Sequence, residues 1–368
     1  MTKLGTLAAF AATGVLAAAA FVRPPVSPSP KGSSPAAPNI AKVAKVAKAA
    51  NLSNLPAAVQ PNAHPQMAGA FATAPAVSGR AFVVEEVVFA PWGSGVGELG
   101  VLRPREANPE GPMSLAVSDD GKIHVLDQVN ERLSIFDPSG GPTRVVPIGS
   151  DTVQDVAVDP RGGWALLDRL VAREVRFLDS SGKVRSQVPV VGPGVPESGV
   201  VTALFAARDG FWLEVEHKDL VRVATVDGEP DPTRPVIEGR RASPGSPLLR
   251  AARDPAGYAV VSAIGPNGFL APVPFAAPVV ELVGLEAHGT TTFVGAYVAR
   301  ETKTPPFTLF DEKIEVVAID GAGVEIGRFD LPPPAGPEEQ LRSLVISPNG
   351  QIHHLHVGAT GATIRRAR

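Results

Sequence analysis

The chain has no cysteine. That absence removes disulfides, thiolate metal sites, cysteine nucleophiles and a lipidated N-terminal cysteine together. Aromatic residues are scarce as well, at 5%, with 3 Trp and 2 Tyr. Neither sign of charge is in real excess: 34 Lys and Arg face 37 Asp and Glu, a formal −3, which offers nucleic acid no electrostatic attraction. Any core must therefore be largely aliphatic, and 44% apolar residues are enough to build one. Turn chemistry, by contrast, is plentiful: 37 Gly and 38 Pro in 368 residues, both above ordinary usage.

Met1-Thr2-Lys3 is a short basic start, and Leu4 to Val22 is then uncharged and rich in Ala and Leu. The pattern is that of an export signal, which puts the remainder beyond the cytoplasmic membrane: secreted, periplasmic or membrane-anchored. Two outcomes are open. Ala18-Ala19-Ala20 offers a small-residue cleavage site before Phe21. Left uncut, residues 4–22 reach spanning length and tether the protein to the membrane. Residues 23–80 are rich in Pro and Ala without sustained periodicity, and they read as a disordered linker. Lys42, Lys45 and Lys48 within it share roughly one helical face, read as a solvated tether.

From residue 81 onward the chain repeats. Turn residues recur at Asp119-Asp120-Gly121, Asp159 to Gly162, Arg208-Asp209-Gly210, Asp254 to Gly257, a weak His288-Gly289, and Ser347 to Gly350. Their spacing averages roughly 46 residues, and each turn lies between two short apolar runs. Third strands are clearest at 132–137, 173–179, 219–226 and 313–320. A period of this length with four short strands predicts an all-β, six-bladed β-propeller of four-stranded antiparallel blades over 81–368. The last unit has only three strands. The run Phe82 to Phe89 has nothing local to pair with, so it is expected to be the missing outer strand and to close the ring. The fifth unit is the poorest, with an insertion around Lys303 to Phe310.

The first unit resembles an NHL repeat. It has a Gly-rich lead over Trp92 to Gly100, the turn Asp120-Gly121, and a strand from Ile123 to Asp127. Asn130-Glu131-Arg132 and Ile135-Phe136-Asp137 follow. The second unit keeps Asp168, Arg173 and Leu178-Asp179. The resemblance implies a six-bladed propeller in which Asp127, Asn130 and Arg132, like Asp168 and Arg173, brace the repeat. It implies no single function, because the family includes lyases, receptors and scaffolding modules.

Several residues are candidates for chemistry. The second strands end in Asp127, Asp168, Glu216, Ala263, Gly295 and His356, a column better explained by bracing than by metal binding. His354 and His356 are two apart on a strand and share a face, a genuine ligand spacing. With His217 they would make a divalent metal site, although no cofactor is required by the sequence. The residues entering the inner strands include Asp155, Thr202, Arg250 and Arg342, charged or polar beside apolar runs. They are expected either to line a ligand-binding channel mouth, where Arg250 and Arg342 would together hold an anionic group of the ligand, or to tie blades together as an Asp155–Arg pair. Gly93 to Gly97 lacks the Lys-Ser/Thr of a phosphate loop and reads as a flexible lead, and Arg365, Arg366 and Arg368 read as a solvated basic tail. Glu85 and Glu86 point to opposite faces of a strand.

The sequence thus predicts an exported, monomeric, non-catalytic module that recognises a small molecule, peptide or envelope component at the channel mouth. The alternatives are a metal-dependent lyase or lactone hydrolase at the same mouth, and a structural scaffold.

Overall fold

The computed structural model describes residues 79–241, 248–253, 259–264, 269–336 and 338–368. The expectations for the export signal, the linker and the Lys42 face therefore lie outside the described residues. Six four-stranded antiparallel sheets form the blades of a β-propeller. The first four-stranded unit in chain order comprises β2 (Ser114–Val117), β3 (Ile123–Asp127), β4 (Arg132–Phe136) and β5 (Pro142–Pro147). The second comprises β6 (Asp155–Val158), β7 (Trp164–Asp168), β8 (Glu174–Leu178) and β9 (Val184–Pro189), and the third β10 (Val201–Ala207), β11 (Gly210–Val215), β12 (Asp219–Ala224) and β13 (Val236–Glu238).

The fourth blade breaks the pattern. Its strands β15 (Leu248–Arg253), β16 (Ala259–Ile264) and β17 (Leu270–Val273) run outward as usual. The remaining one, β14 (Arg240–Arg241), pairs on the inner edge of β15. The fifth blade holds β18 (Val279–His288), β19 (Thr291–Glu301), β20 (Leu309–Ile319) and β21 (Glu325–Leu331). Expected to be the poorest unit, it instead has long central strands, and the segment near Lys303 to Phe310 is the tip of the β19–β20 hairpin, held by Thr302 and Thr308.

The sixth blade contains β22 (Leu344–Ile346), β23 (Ile352–Val357) and β24 (Gly361–Ala367), with β1 (Val84–Pro91) as its outer strand. The N-terminal strand therefore closes the ring, in register from Val84↔Ala367 to Pro91↔Gly361 with one bulge. The basic C-terminal residues are not a solvated tail. Arg366 donates to Glu85 at 2.6 Å, Arg365 pairs with Glu86 at 3.4 Å, and Arg368 reaches Glu85 at 3.4 Å. Strand addition brings the charges together, and the ion pairs fix its register.

The strands are apolar because they are sandwiched between blades. Separate clusters fill the seams, for example Phe177 and Phe211 between the second and third blades, edge-to-face at 4.7 Å and 70°. Between the third and fourth blades the described contacts are polar instead: Arg250 pairs with Asp219 at 3.0 Å and Glu238 at 3.6 Å.

Candidate functional site

Asp155 opens β6 and is fully buried. Its carboxylate accepts backbone N–H groups from Val156 at 2.8 Å and Leu204 at 2.7 Å, and lies 3.3 Å from Nη2 of Arg342. Burial pushes this carboxyl up, with Arg342 and the two amides pulling the other way. Arg342 also donates to the carbonyls of Val156 at 2.8 Å and Leu204 at 3.2 Å, and its guanidinium carbon stands 5.4 Å from the Phe205 ring centre. The pair thus ties the second, third and sixth blades. Arg250 does not join Arg342; it belongs to the polar seam, so the two arginines form no common anion clamp.

Thr202 leads instead to Glu214, a residue that the repeat alignment passed over in favour of Glu216. Thr202 donates to Oε2 of Glu214 at 2.7 Å, and Nδ1 of His217 lies 3.2 Å from the same oxygen. Glu214 is 1% exposed and also takes the guanidinium of Arg240, through Nη2 at 2.9 Å and through Nε. Burial works against its charge, but Arg240 and the hydrogen bonds outweigh it and hold the carboxyl far below the usual range. Glu216 takes a left-handed φ of 54° in the following turn. The signal was present in Phe211-Trp212-Leu213-Glu214-Val215: a lone carboxylate inside an apolar strand must have a buried partner.

Arg240, from the irregular β14, completes the arrangement. Its guanidinium carbon stands 5.2 Å from the Phe205 ring centre, Nη1 donates to the carbonyl of Leu285, and the same nitrogen lies 3.6 Å from Glu286. Phe205 thus carries two guanidiniums, and these in turn meet three carboxyl groups: Asp155 at Arg342, and Glu214 and Glu286 at Arg240.

Above these groups is a cavity of about 920 Å³. Its rim is built from the turns that leave the inner strands, at Ser118 to Lys122, Asp159 to Gly163, His288, and Ser347-Pro348. Leu204, Phe205, Glu286 and Arg342 lie deeper. The opening is therefore at the end where the inner strands exit, opposite to the mouth expected from the sequence. At the entrance end, Leu341 donates to the carbonyl of Met113, while Leu102 and Glu110 pair with one another and Arg103 binds Glu338. A smaller cavity of about 160 Å³ adjoins the first and shares Phe205, Ala206, Glu286, Ala287 and Ile346 with it.

One wall carries a serine–histidine contact, with Oγ of Ser118 3.1 Å from Nε2 of His124. Nε1 of Trp164 donates to Nδ1 of His124 at 3.0 Å. Because an indole nitrogen can only donate, Nδ1 accepts and Nε2 carries the proton. Nε2–H then donates to Ser118, whose hydroxyl donates onward to Asp120 at 2.5 Å. A nucleophilic serine needs the reverse tautomer. Burial lowers the His124 pKa to about 4, which keeps the ring neutral.

The histidines proposed as metal ligands do not converge. His354 and His356 stand together on β23, ring centres 6.2 Å apart, whereas His217 is held by Glu214 in the third blade. Among the described residues, no three His, Asp or Glu side chains are grouped so as to hold a metal ion. Burial lowers the His354 pKa to about 3, with His356 and Arg365 adding to the effect.

Asp127 accepts from Gly100 N–H at 2.7 Å, Asn130 Nδ2 at 2.9 Å and Arg132 Nε at 2.8 Å. Arg132 further donates to the carbonyls of Ser94, Gly95 and Glu98, and Asn130 to that of Gly93. The Gly-rich lead is thus a carbonyl cradle for Arg132 and not the flexible lead expected from the sequence. The second blade differs by one residue. Asp127 pairs across with Arg132, but Asp168 pairs with Glu174, because Arg173 occupies the left-handed turn position at φ 56°. Asp168 instead accepts from Val171 N–H at 2.9 Å and from Thr152 Oγ1, while the Arg173 side chain is exposed.

No family model matches the chain, and no curated protein sequence does. Solved structures that it resembles include a hydrazine synthase of Kuenenia stuttgartiensis, 11% identical with a TM-score of 0.45, over 69% of this chain and 80% of that one. A member of the DUF4221 family from Bacteroides vulgatus is 10% identical with a TM-score of 0.47, over 78% and 98%. A streptogramin B lyase is 14% identical with a TM-score of 0.38, over 78% and 97%. At this level of similarity we draw nothing about function from them.

Proposed function

We propose that the chain is an exported, non-catalytic recognition module built on an NHL-type propeller, which binds a small molecule, a peptide or an envelope component in the exit-end cavity. The observation that carries this reading is the cavity of about 920 Å³ with charged groups and Phe205 in its depth. The NHL assignment is supported by the Asp127–Asn130–Arg132 brace and its Gly-rich cradle. A serine hydrolase acting through Ser118 is disfavoured by the tautomer that Trp164 imposes on His124. Residues 4–22 supply the export or tethering step.

The test is a thermal-shift screen of the full-length protein against metabolites and peptidoglycan fragments, repeated with Ala206→Trp, which fills the cavity. Ligands that stabilise the wild type and lose their effect in the variant are expected; stabilisation that survives in a folded Ala206→Trp variant would move the site elsewhere. Cell fractionation with N-terminal sequencing checks export, and cytoplasmic retention would refute it.

A further inference from the structure

We propose that the ligand of the exit-end cavity carries an organic ammonium group, and that Glu286 is the residue that receives it. This inference rests on the cavity being the binding site. It follows from the contacts made by the carboxyl groups around Arg240 and Arg342. Three carboxylates, Asp155, Glu214 and Glu286, share two guanidiniums, Arg240 and Arg342. Arg169 also attracts Asp155, and the Glu339 beside it is exposed to solvent. His217 touches Glu214 but is largely exposed to solvent. Among the described residues, Asp155 and Glu214 each have a guanidinium nitrogen within 3.3 Å, whereas Glu286 has none closer than 3.6 Å.

Glu286 is therefore the carboxyl of this group that is left with room for a donor. Asp155 is satisfied by two backbone amides and Arg342, and Glu214 by Arg240, Thr202 and His217. Arg342 gives two of its nitrogens to the carbonyls of Val156 and Leu204, and Arg240 gives its donors to Glu214 and Leu285. The ion pair of Glu286 with Arg240 is 3.6 Å long, beyond a hydrogen bond. Glu286 lines both cavities. Burial pushes that carboxyl up; Arg240 and Arg342 draw it down, and Glu214 and Asp155 push it further up.

A bound ammonium would supply the close donors that Glu286 lacks, each hydrogen bond assisted by charge. An anionic ligand would meet two guanidiniums with few donors to spare and would bury a second negative charge beside Glu286. Apolar walls from Val117, Val158, Val345 and Ile346 suit the hydrocarbon part of such a molecule.

The experiment uses the full-length protein and three probes of matched shape: hexylamine, hexanol and hexanoate. Calorimetry measures affinity, and alanine-methyl NMR reports whether Ala206 and Ala287 on the cavity wall shift. Hexylamine is expected to bind at least tenfold more tightly than hexanoate and to move both methyls. Glu286→Gln, which keeps shape and folding, should weaken hexylamine at least tenfold and leave hexanol unchanged. Hexanoate binding as tightly as hexylamine, or an unchanged hexylamine affinity in Glu286→Gln, would overturn the ammonium assignment while leaving the cavity as the site. If none of the probes moves the cavity methyls in the folded protein, the cavity reading fails with it.

Discussion

Asp127 shows how one side chain can organise a repeat. It is 1% exposed and satisfies three donors from separate parts of the chain. Truncation would leave Arg132, itself only 12% exposed, without its counter-charge. Asp127→Ala is therefore expected to cost about 3 kcal/mol in urea unfolding, the scale for breaking a buried pair. The buried histidines set the response to acid. His124 and His353 are lowered to about 4 and His354 to about 3, all by burial first. In the unfolded chain each binds a proton near pH 6.5, whereas in the folded protein it does not until pH 3–4. Stability tied to the neutral rings is thus complete above about pH 6.5 and is lost as pH falls through that window. Thermal melting across pH 7 to 3.5 should show this decline, and His354→Leu, which removes a ring whose Nδ1 has no partner, should flatten it. An unchanged slope in that variant would show that His354 contributes nothing to it.

At the scale of elements, the seams differ in kind. The second and third blades meet through Phe177 and Phe211, where truncation of either ring should cost about 3–5 kcal/mol. The third and fourth meet through the buried Glu214–Arg240 pair and, farther out, through Arg250, Asp219 and Glu238, partly exposed groups whose pairs are worth about 0–1 kcal/mol each. Hydrogen exchange should therefore open β13 before β6 and β7, and Arg250→Ala should speed exchange at β13 with little change in global stability. Equal protection across the two seams would refute this ranking.

For the whole molecule, the architecture was legible in the sequence because a repeat states the same local chemistry many times. Gly121, Gly162, Gly210 and Gly350 each take positive φ at the turns that marked the period. Even the partnerless run at Phe82 to Phe89 revealed its role through the lack of a neighbour. The site was only partly legible. Asp155 and Arg342 stood out as charges at strand entrances, but Glu214, Arg240 and Glu286 lie where the repeat is least regular. β14 has no counterpart in the other blades, so no alignment of copies could find Arg240. The direction of the cavity depends on which end the loops close, and spacing along the chain does not encode that. The one-residue slip at Arg173 has a similar cause: equal spacing from Asp127 and Asp168 concealed an extra residue in the second turn.

Ring closure by β1 also imposes an order on biogenesis. Glu85 and its partner Arg366 are 281 positions apart in sequence, nearly the whole length of the propeller. Whether the chain emerges from a ribosome or threads through a translocation pore, β1 appears early and must wait for β24, which arrives last. Until then two sheet edges are bare and able to pair with any other chain. The blades between can assemble as they emerge, from local contacts, whereas the final seam is a long-range event with a high loop-closure cost. The acidic and basic residues along those two edges give the waiting strands a partner of their own to find.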